Sequence, residues 1–184
     1  MCRSCCDILS VVCLGASTGQ ERGRKQSLAL SGIEYRLLNH YQSGLSVTPD
    51  KLIFNVTRWA QSDNRVVAVG ICGSHARGEA RAGSDIDFCL LTPDPASLLD
   101  DRAWIAGFGT DARVAGPVED YNLVQSVRVF YGTTEAEFGV TDQAWTEPPI
   151  DRETASVINS GLRILYDPDG RLREAAAISK LIRD

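Results

Sequence analysis

The stretch "ICGSHARGEARAGSDIDFCLL", from Ile71 to Leu91, decides how this sequence is interpreted. It links two apolar segments through the pair Gly73-Ser74, ten further residues, and the carboxylates Asp85 and Asp87. Short apolar, β-branched segments bounded by glycine and other turn residues are typical of buried strands. The stretch therefore predicts two strands, joined by a short excursion that returns alongside the first.

The two aspartates indicate a cation site. Asp85 and Asp87 are two residues apart on the second predicted strand, so both side chains leave the same face. Adjacent carboxylates repel each other, and a cation between them would remove that repulsion. Hard oxygen ligands favour Mg²⁺ or Mn²⁺ over zinc. The alternative is a solvated strand end that caps a turn.

The Gly-Ser pair after the first strand has the chemistry of a phosphate-binding turn. Glycine lets the backbone approach a phosphate closely, and the hydroxyl of Ser74 and nearby N–H groups can bind its oxygens. Arg77 could neutralise further phosphate charge. It could instead form a surface ion pair with Glu79 or Asp85. Gly73 and Ser74 taken alone would favour an ordinary turn.

Composition limits the partners of the chain. The 184 residues fit one domain, and 43% hydrophobic with 23% charged residues allow a buried core. The formal net charge of −5 disfavours binding to the phosphate backbone of nucleic acid. No apolar run reaches the roughly 20 residues that a membrane-spanning helix needs.

The N-terminal segment, residues 1–30, shows no sustained periodicity and is predicted to be a disordered tail, with the domain in residues 31–184. Four of the six cysteines lie in this tail, but no second cysteine or histidine pair follows at zinc-ligand spacing, which disfavours structural zinc. Cys72 and Cys89 lie inside apolar runs and are expected to be small buried residues. We expect a reduced, cytoplasmic protein.

The rest of the chain alternates helical and strand patterns. Helices are predicted around "VTPDKLIFNVTRWAQSD", "PASLLDDRAWIAGF", "RETASVINSG" and the C-terminal "GRLREAAAISKLIRD". Strands are predicted at "RVVAVGICG", "DIDFCLLT" and "RILYD", with two more in a hairpin. The predicted fold class is α/β (α+β), a small mixed sheet flanked by helices.

The hairpin is predicted in "NLVQSVRVFYGTTEAEFGV", where two strand-like runs flank Gly132-Thr133. Glycine at the first central position suits a type II′ turn. That register places Arg128 opposite Glu137 and puts both on the polar face, together with Glu135. Glu137 could therefore be a cross-strand partner of Arg128.

The pattern Gly73-Ser74, then "HARG", then Ser84-Asp85-Ile86-Asp87 resembles the polymerase β-like nucleotidyltransferase superfamily. The specific part covers about 20 residues, and a looser likeness to bacterial nucleotidyltransferase-domain proteins extends over about residues 50–170. The resemblance implies that fold, with Gly73, Ser74, Arg77 and Ser84 at the nucleotide.

The resemblance also implies a third carboxylate on the hairpin. Our candidate is Glu137, with Glu135 as the second choice. With Asp85 and Asp87 it would hold Mg²⁺ or Mn²⁺ and catalyse transfer of AMP from ATP to a hydroxyl. The general base could be Glu137 or a nearby carboxylate.

The resemblance leaves the acceptor open. One hypothesis is a hydroxyl-bearing small molecule, such as an aminoglycoside-type antibiotic. Antibiotic-modifying relatives usually carry a further helical domain, whereas 44 residues follow Val140 here, so the acceptor pocket is either incomplete or finished by the second subunit of a homodimer. The alternative is an antitoxin-like minimal nucleotidyltransferase that modifies or binds a protein partner. The third hypothesis is a nucleotide-binding relative that does not catalyse transfer.

Overall fold

The computed structural model describes residues 47–182. The predicted tail over residues 1–30, with its four cysteines, lies outside the described residues. The helices are α1 (Pro49–Ala60), α2 (Gly73–Arg77), α3 (Pro95–Asp100), α4 (Ala103–Ala106), α5 (Arg152–Asn159) and α6 (Arg171–Ser179). The strands are β1 (Ala68–Cys72), β2 (Ile86–Leu91), β3 (Ala112–Tyr121), β4 (Val124–Tyr131), β5 (Thr134–Thr141) and β6 (Leu162–Tyr166).

The strands form one mixed six-stranded sheet in the order β3-β4-β5-β2-β1-β6, which confirms the predicted fold class. The pairs β1–β2, β1–β6, β3–β4 and β4–β5 are antiparallel. The pair β2–β5 is parallel. It joins the strand that carries Asp87 to the hairpin. None of the described helices combines the length and apolarity needed to cross a membrane.

Each face of the sheet packs on its own apolar cluster. Helices α1, α3 and α4 cover one face, to which β2 contributes Ile86, Phe88 and Leu90. Helices α5 and α6 cover part of the other face, where Cys89 and Leu91 are buried. Because side chains alternate along a strand, Asp87 lies on this second face together with Cys89.

Helix α1 begins and packs as its sequence predicts. The Thr48 hydroxyl accepts a hydrogen bond from the Lys51 N–H, Pro49 occupies the first turn, and Asp50 lies near the positive end of the helix. The buried stripe is Leu52, Ile53, Val56 and Ala60. This helix closes the face of the sheet that is remote from the carboxylates.

The hairpin forms in the predicted register. Tyr131 pairs with Thr134, and Arg128 pairs with Glu137. Gly132 has a φ of 63°, as the first central position of the predicted turn requires. Its apolar face, which consists of Val127, Val129, Tyr131, Ala136, Phe138 and Val140, is buried.

One local prediction was wrong, and one strand was missed. The single helix expected over "PASLLDDRAWIAGF" is two helices, because Asp101 leaves the helical region (φ −93°, ψ 87°) and its carboxylate accepts the Ala103 N–H instead. A sixth strand, β3, was not predicted. Gly116 and Pro117 interrupt its alternation, and its pairing with β4 is irregular between Ala115 and Glu119.

Candidate active site

Two of the predicted site carboxylates lie side by side on the sheet. Asp87 of β2 and Glu137 of β5 are partners in the parallel register, and both are half-buried. Both side chains project from the face that α5 and α6 cover in part. Asp85 immediately precedes β2 and is close enough for its charge to act on Asp87.

The surroundings of Asp87 disfavour its negative charge. Burial, then the charges of Asp85 and Glu137, raise the pKa of Asp87 to about 6, although His75 and Arg128 oppose the shift. Like charges close together and partial desolvation both favour the protonated form. A bound cation would offset this repulsion between carboxylates. Strongly shifted pKa values of this kind are typical of functional sites.

Gly73 lies against the Asp87 carboxylate. A Cβ at this position would be 2.5 Å from Oδ2 of Asp87, and the backbone has a φ of +66°. No other residue type has both the conformational freedom and the small size for this approach. The Gly-Ser motif thus places the start of α2, including Ser74, next to the carboxylate, as the sequence predicts for a phosphate-binding turn.

Glu137 is already bound by two protein groups. The Ser126 hydroxyl donates to Oε1 of Glu137 at 2.8 Å, and Arg128 donates to Oε2 at 2.9 Å. Arg128 also bridges to Glu135 at 2.7 Å. The cross-strand interpretation of Glu137 is therefore confirmed, and one guanidinium compensates both hairpin carboxylates.

Within residues 47–182, no three His, Cys, Asp or Glu side chains converge closely enough to hold a metal ion as they stand. The donor set nevertheless fits a hard divalent cation. Asp85 and Asp87 supply oxygen donors whose mutual repulsion the cation would offset, and Mg²⁺ keeps several waters and needs only one or two carboxylates. A contribution from Glu137 would require Arg128 to share or release its oxygen.

The other residues predicted to contact the nucleotide, Arg77 and Ser84, already have partners within the protein. Arg77 forms an ion pair with Glu79 at 2.7 Å and donates to the Ser160 carbonyl at 2.8 Å, which confirms its surface-pair interpretation. The Ser84 hydroxyl accepts the Arg81 N–H. His75 faces the Ser84 carbonyl at 3.4 Å. These contacts fix the loop between β1 and β2, and so the position of Asp85.

A cleft of about 470 Å³ opens beside the carboxylates. Its floor is the sheet, one wall is the β3–β4 turn and the other wall is α5. It is lined by Cys72, Gly73, Asp87, Phe88, Cys89, Tyr121, Asn122, Leu123, Val124, Glu137, Gly139, Trp145, Thr154, Val157 and Ser160. Cys72 and Cys89 are buried free thiols, and burial raises the pKa of Cys72 to about 12, so neither is a nucleophile at neutral pH.

Sequence reasoning missed several residues of this site. Ser126 has no motif, although its position two residues before Arg128 places it on the same strand face. The turn Tyr121–Val124 was not placed, because β3 was not predicted. Helix α5 was predicted but could not be assigned to the cleft from its own amphipathic pattern.

A known protein family matches the part of the chain that carries Gly73, Asp85 and Asp87. Residues 55–130 match the family model of the nucleotidyltransferase domain, a range that includes Gly73, Asp85 and Asp87 but ends before Glu137. A solved structure described as a crystal structure of a toxin-antitoxin with AMP-PNP aligns with 73% of this chain and 86% of that chain, at a TM-score of 0.40 and 11% sequence identity. A search of curated proteins finds no match.

Proposed function

We propose that this chain, whose residues 55–130 match the family model of the nucleotidyltransferase domain, moves AMP from ATP to the hydroxyl of a small molecule in a reaction that requires Mg²⁺ or Mn²⁺. The observation that carries the proposal is the pairing of Asp87 with Glu137 at one end of a 470 Å³ cleft, with Gly73 against Asp87.

The carboxylates Asp85, Asp87 and Glu137 are the proposed cation ligands. The raised pKa of Asp87 supports this role, because it reports negative charge that the protein alone leaves under-compensated. When bound, the cation would supply charge neutralisation for the triphosphate and lower the pKa of the attacking hydroxyl. Ser74 and the N–H groups at the start of α2 are the proposed ligands of the phosphate oxygens.

The proposed step forms one bond to the α-phosphorus of ATP and breaks another. The acceptor hydroxyl oxygen bonds to the α-phosphorus of ATP, and the bond from the α-phosphorus to the bridging oxygen breaks. Pyrophosphate leaves with that electron pair, and the hydroxyl proton passes to a carboxylate of the site, for which Glu137 is our candidate. Catalysis then depends on positioning and charge neutralisation rather than on a covalent intermediate with the protein.

The shape of the surface beside Glu137 favours a small-molecule acceptor over a protein acceptor. A concave cleft of 470 Å³ falls in the usual range for small-molecule sites. A flat apolar face at this place would have favoured docking of a protein partner instead.

The test uses ATP labelled at the α-phosphate and, in a parallel reaction, at the γ-phosphate. Purified protein is incubated with Mg²⁺ and a panel of hydroxyl compounds that includes aminoglycosides and neutral alcohols. We expect the α-label to move to an acceptor and the γ-label to appear in pyrophosphate, with both lost in Asp87→Asn. Transfer of the γ-label to an acceptor, or equal turnover in Asp87→Asn, would contradict the proposal, and α-label on protein would favour the antitoxin-like alternative.

A further inference from the structure

The walls of the cleft carry exposed apolar side chains. Six large apolar side chains are exposed among residues 47–182, and three of them line this cleft. They are Tyr121 (55% exposed) and Leu123 (38%) on the β3–β4 turn, and Val157 (44%) on α5. Exposed apolar residues that cluster on facing walls mark a ligand groove, whereas scattered ones need no explanation.

The interior of the cleft is also apolar away from the carboxylates. Cys89 and Gly139 are register partners, two residues beyond Asp87 and Glu137 on the same face. Trp145 is buried and lines the same cleft. The cleft therefore has a charged end at the carboxylates and an apolar body that continues along β2 and β5.

The acidic residues that line the cleft, within the described part of the chain, are Asp87 and Glu137. Arg128 already neutralises Glu137, and Asp87 is the proposed cation ligand. A polycationic acceptor needs several free carboxylates to replace its hydration, because an unpaired buried ammonium is costly. The walls do not offer them.

The direction of attack favours the β5 side of the cleft as the place of the acceptor. Gly73-Ser74 follows β1, on one side of Asp87, and Glu137 lies on β5, on the other side. If the pyrophosphate leaves toward the Gly-Ser turn, an in-line hydroxyl arrives from the β5 side, where Leu123, Val124 and Gly139 line the cleft.

We infer that the acceptor is an uncharged alcohol with a largely apolar body, whose hydroxyl lies at Asp87 and Glu137 and whose body packs between Leu123 and Val157. This inference rests on the proposed function and narrows its substrate class. It argues against an aminoglycoside-type acceptor. The bond changes are those of the proposed transfer, so no further reactant is needed.

The test uses phenylbutanol as the neutral probe, phenylbutylamine as its charged counterpart, and kanamycin as the polycation. Binding is followed by the fluorescence of Trp145, with Trp145→Phe to identify the signal. The cleft variants are Leu123→Glu and Val157→Glu. Their matched controls are Leu181→Glu and Val114→Glu, since Leu181 and Val114 are also exposed (81% and 40%) but do not line the cleft.

We expect phenylbutanol to bind better than either cation, and each cleft variant to weaken it by about tenfold, while the controls bind normally. Saturating AMP-PNP should leave this binding unchanged or strengthen it. Competition by AMP-PNP would place the adenine in the cleft and overturn the inference. Equal loss in cleft and control variants, no binding of phenylbutanol, or tighter binding of kanamycin would also overturn it.

Because this readout is binding, it separates the two proposals. If α-label transfer fails for every acceptor while phenylbutanol binding follows the expected pattern, the proposed function fails and the cleft assignment stands. If transfer occurs but is most efficient with kanamycin, the transferase stands and the substrate class is wrong.

Discussion

Asp87 and Glu137 are register partners on the parallel strands β2 and β5, but the Glu137 carboxylate is already held by a guanidinium at 2.9 Å. The protein thus brings two negative charges together and compensates one of them itself. Arg128 is the positioning residue in this arrangement, since it binds Glu137 and Glu135 at once.

Arg128→Met should make the protein more dependent on a divalent cation. The positive charge of Arg128 lowers the pKa of Asp87, so its loss should raise that pKa further. The free energy of unfolding without Mg²⁺ should fall by about 1 kcal/mol, because the lost ion pairs are partly exposed. The rise in Tm on adding Mg²⁺ should be larger than in the wild type. Arg163→Met, an exposed arginine on β6, is the control, and loss of the Mg²⁺ effect in Arg128→Met would contradict the account.

Gly73→Ala should damage both stability and transfer. The new Cβ would be 2.5 Å from the Asp87 carboxylate, in a backbone with a φ of +66°. Gly78→Ala is a matched control, because Gly78 has a φ of +73° and a Cβ there meets nothing within 4 Å. We expect about 1 kcal/mol of destabilisation for Gly78→Ala with transfer retained, and a larger cost for Gly73→Ala with transfer lost.

The double variant Gly73→Ala/Asp87→Ala tests the contact itself. If the collision with the Asp87 carboxylate causes the extra cost, removing that carboxylate should restore part of the lost stability, measured by chemical denaturation. Strictly additive effects of the two substitutions would show that the collision is not the cause.

The pH dependence of the free energy of unfolding should report the raised pKa of Asp87. Folding raises its pKa from the ordinary value of 3.8 to about 6, so the folded state binds the proton more tightly than the unfolded chain. This contribution to stability is present at low pH and is lost as the pH rises through about 6. Asp87→Asn should therefore have a higher Tm than the wild type at pH 8, and the difference should shrink below pH 6.

The control for this series is Asp111→Asn, which changes an exposed aspartate in a turn. Mg²⁺ should raise the Tm of the wild type more at pH 8 than at pH 5, since the ionised carboxylate is the ligand. A Tm difference between Asp87→Asn and the wild type that is the same at every pH would contradict the assignment of the strained charge to Asp87.

Asp151 should support the α5 wall of the cleft. Its carboxylate accepts the N–H and the hydroxyl of Thr154, and the hydroxyl bond is the main reason that its pKa is lowered. Asp151→Ala should cost about 1 kcal/mol at neutral pH and weaken binding of phenylbutanol. The stabilisation is present above the ordinary aspartate pKa and is lost as the pH falls through the lowered value.

Asp94→Ala gives the matched comparison, because Asp94 caps α3 through the Ser97 N–H and does not line the cleft. It should cost similar stability and leave the binding of phenylbutanol intact. Equal loss of binding in both variants would show that the effect of Asp151 is general rather than local to the wall.

Local sequence signals predicted the elements that are determined by neighbouring residues in the chain. The hairpin register follows from Gly132 and the alternation around it, and the start of α1 follows from Thr48 and Pro49. Strand β3 escaped prediction because Gly116 and Pro117 break its alternation, and its place at the sheet edge removes the need for a continuous apolar face.

The residues of the candidate site could be proposed from the sequence, but their partners in the structure could not. The spacing of Gly73, Asp85 and Asp87 is encoded within one short stretch. Which partner Arg77 takes is decided by a residue far along the chain, since its guanidinium reaches the Ser160 carbonyl as well as Glu79. The cleft walls come from α5 and the β3–β4 turn, and no local pattern indicates that these segments face each other.

The most direct test of the central claim is the rate of pyrophosphate release from ATP, with Mg²⁺ and a hydroxyl acceptor, in the wild type, Asp87→Asn and Asp111→Asn. The account predicts release that requires both Mg²⁺ and acceptor, that Asp111→Asn retains, and that falls by at least about a hundredfold in Asp87→Asn, the loss expected when a group that stabilises transition-state charge is removed. Release at the wild-type rate in Asp87→Asn would contradict it.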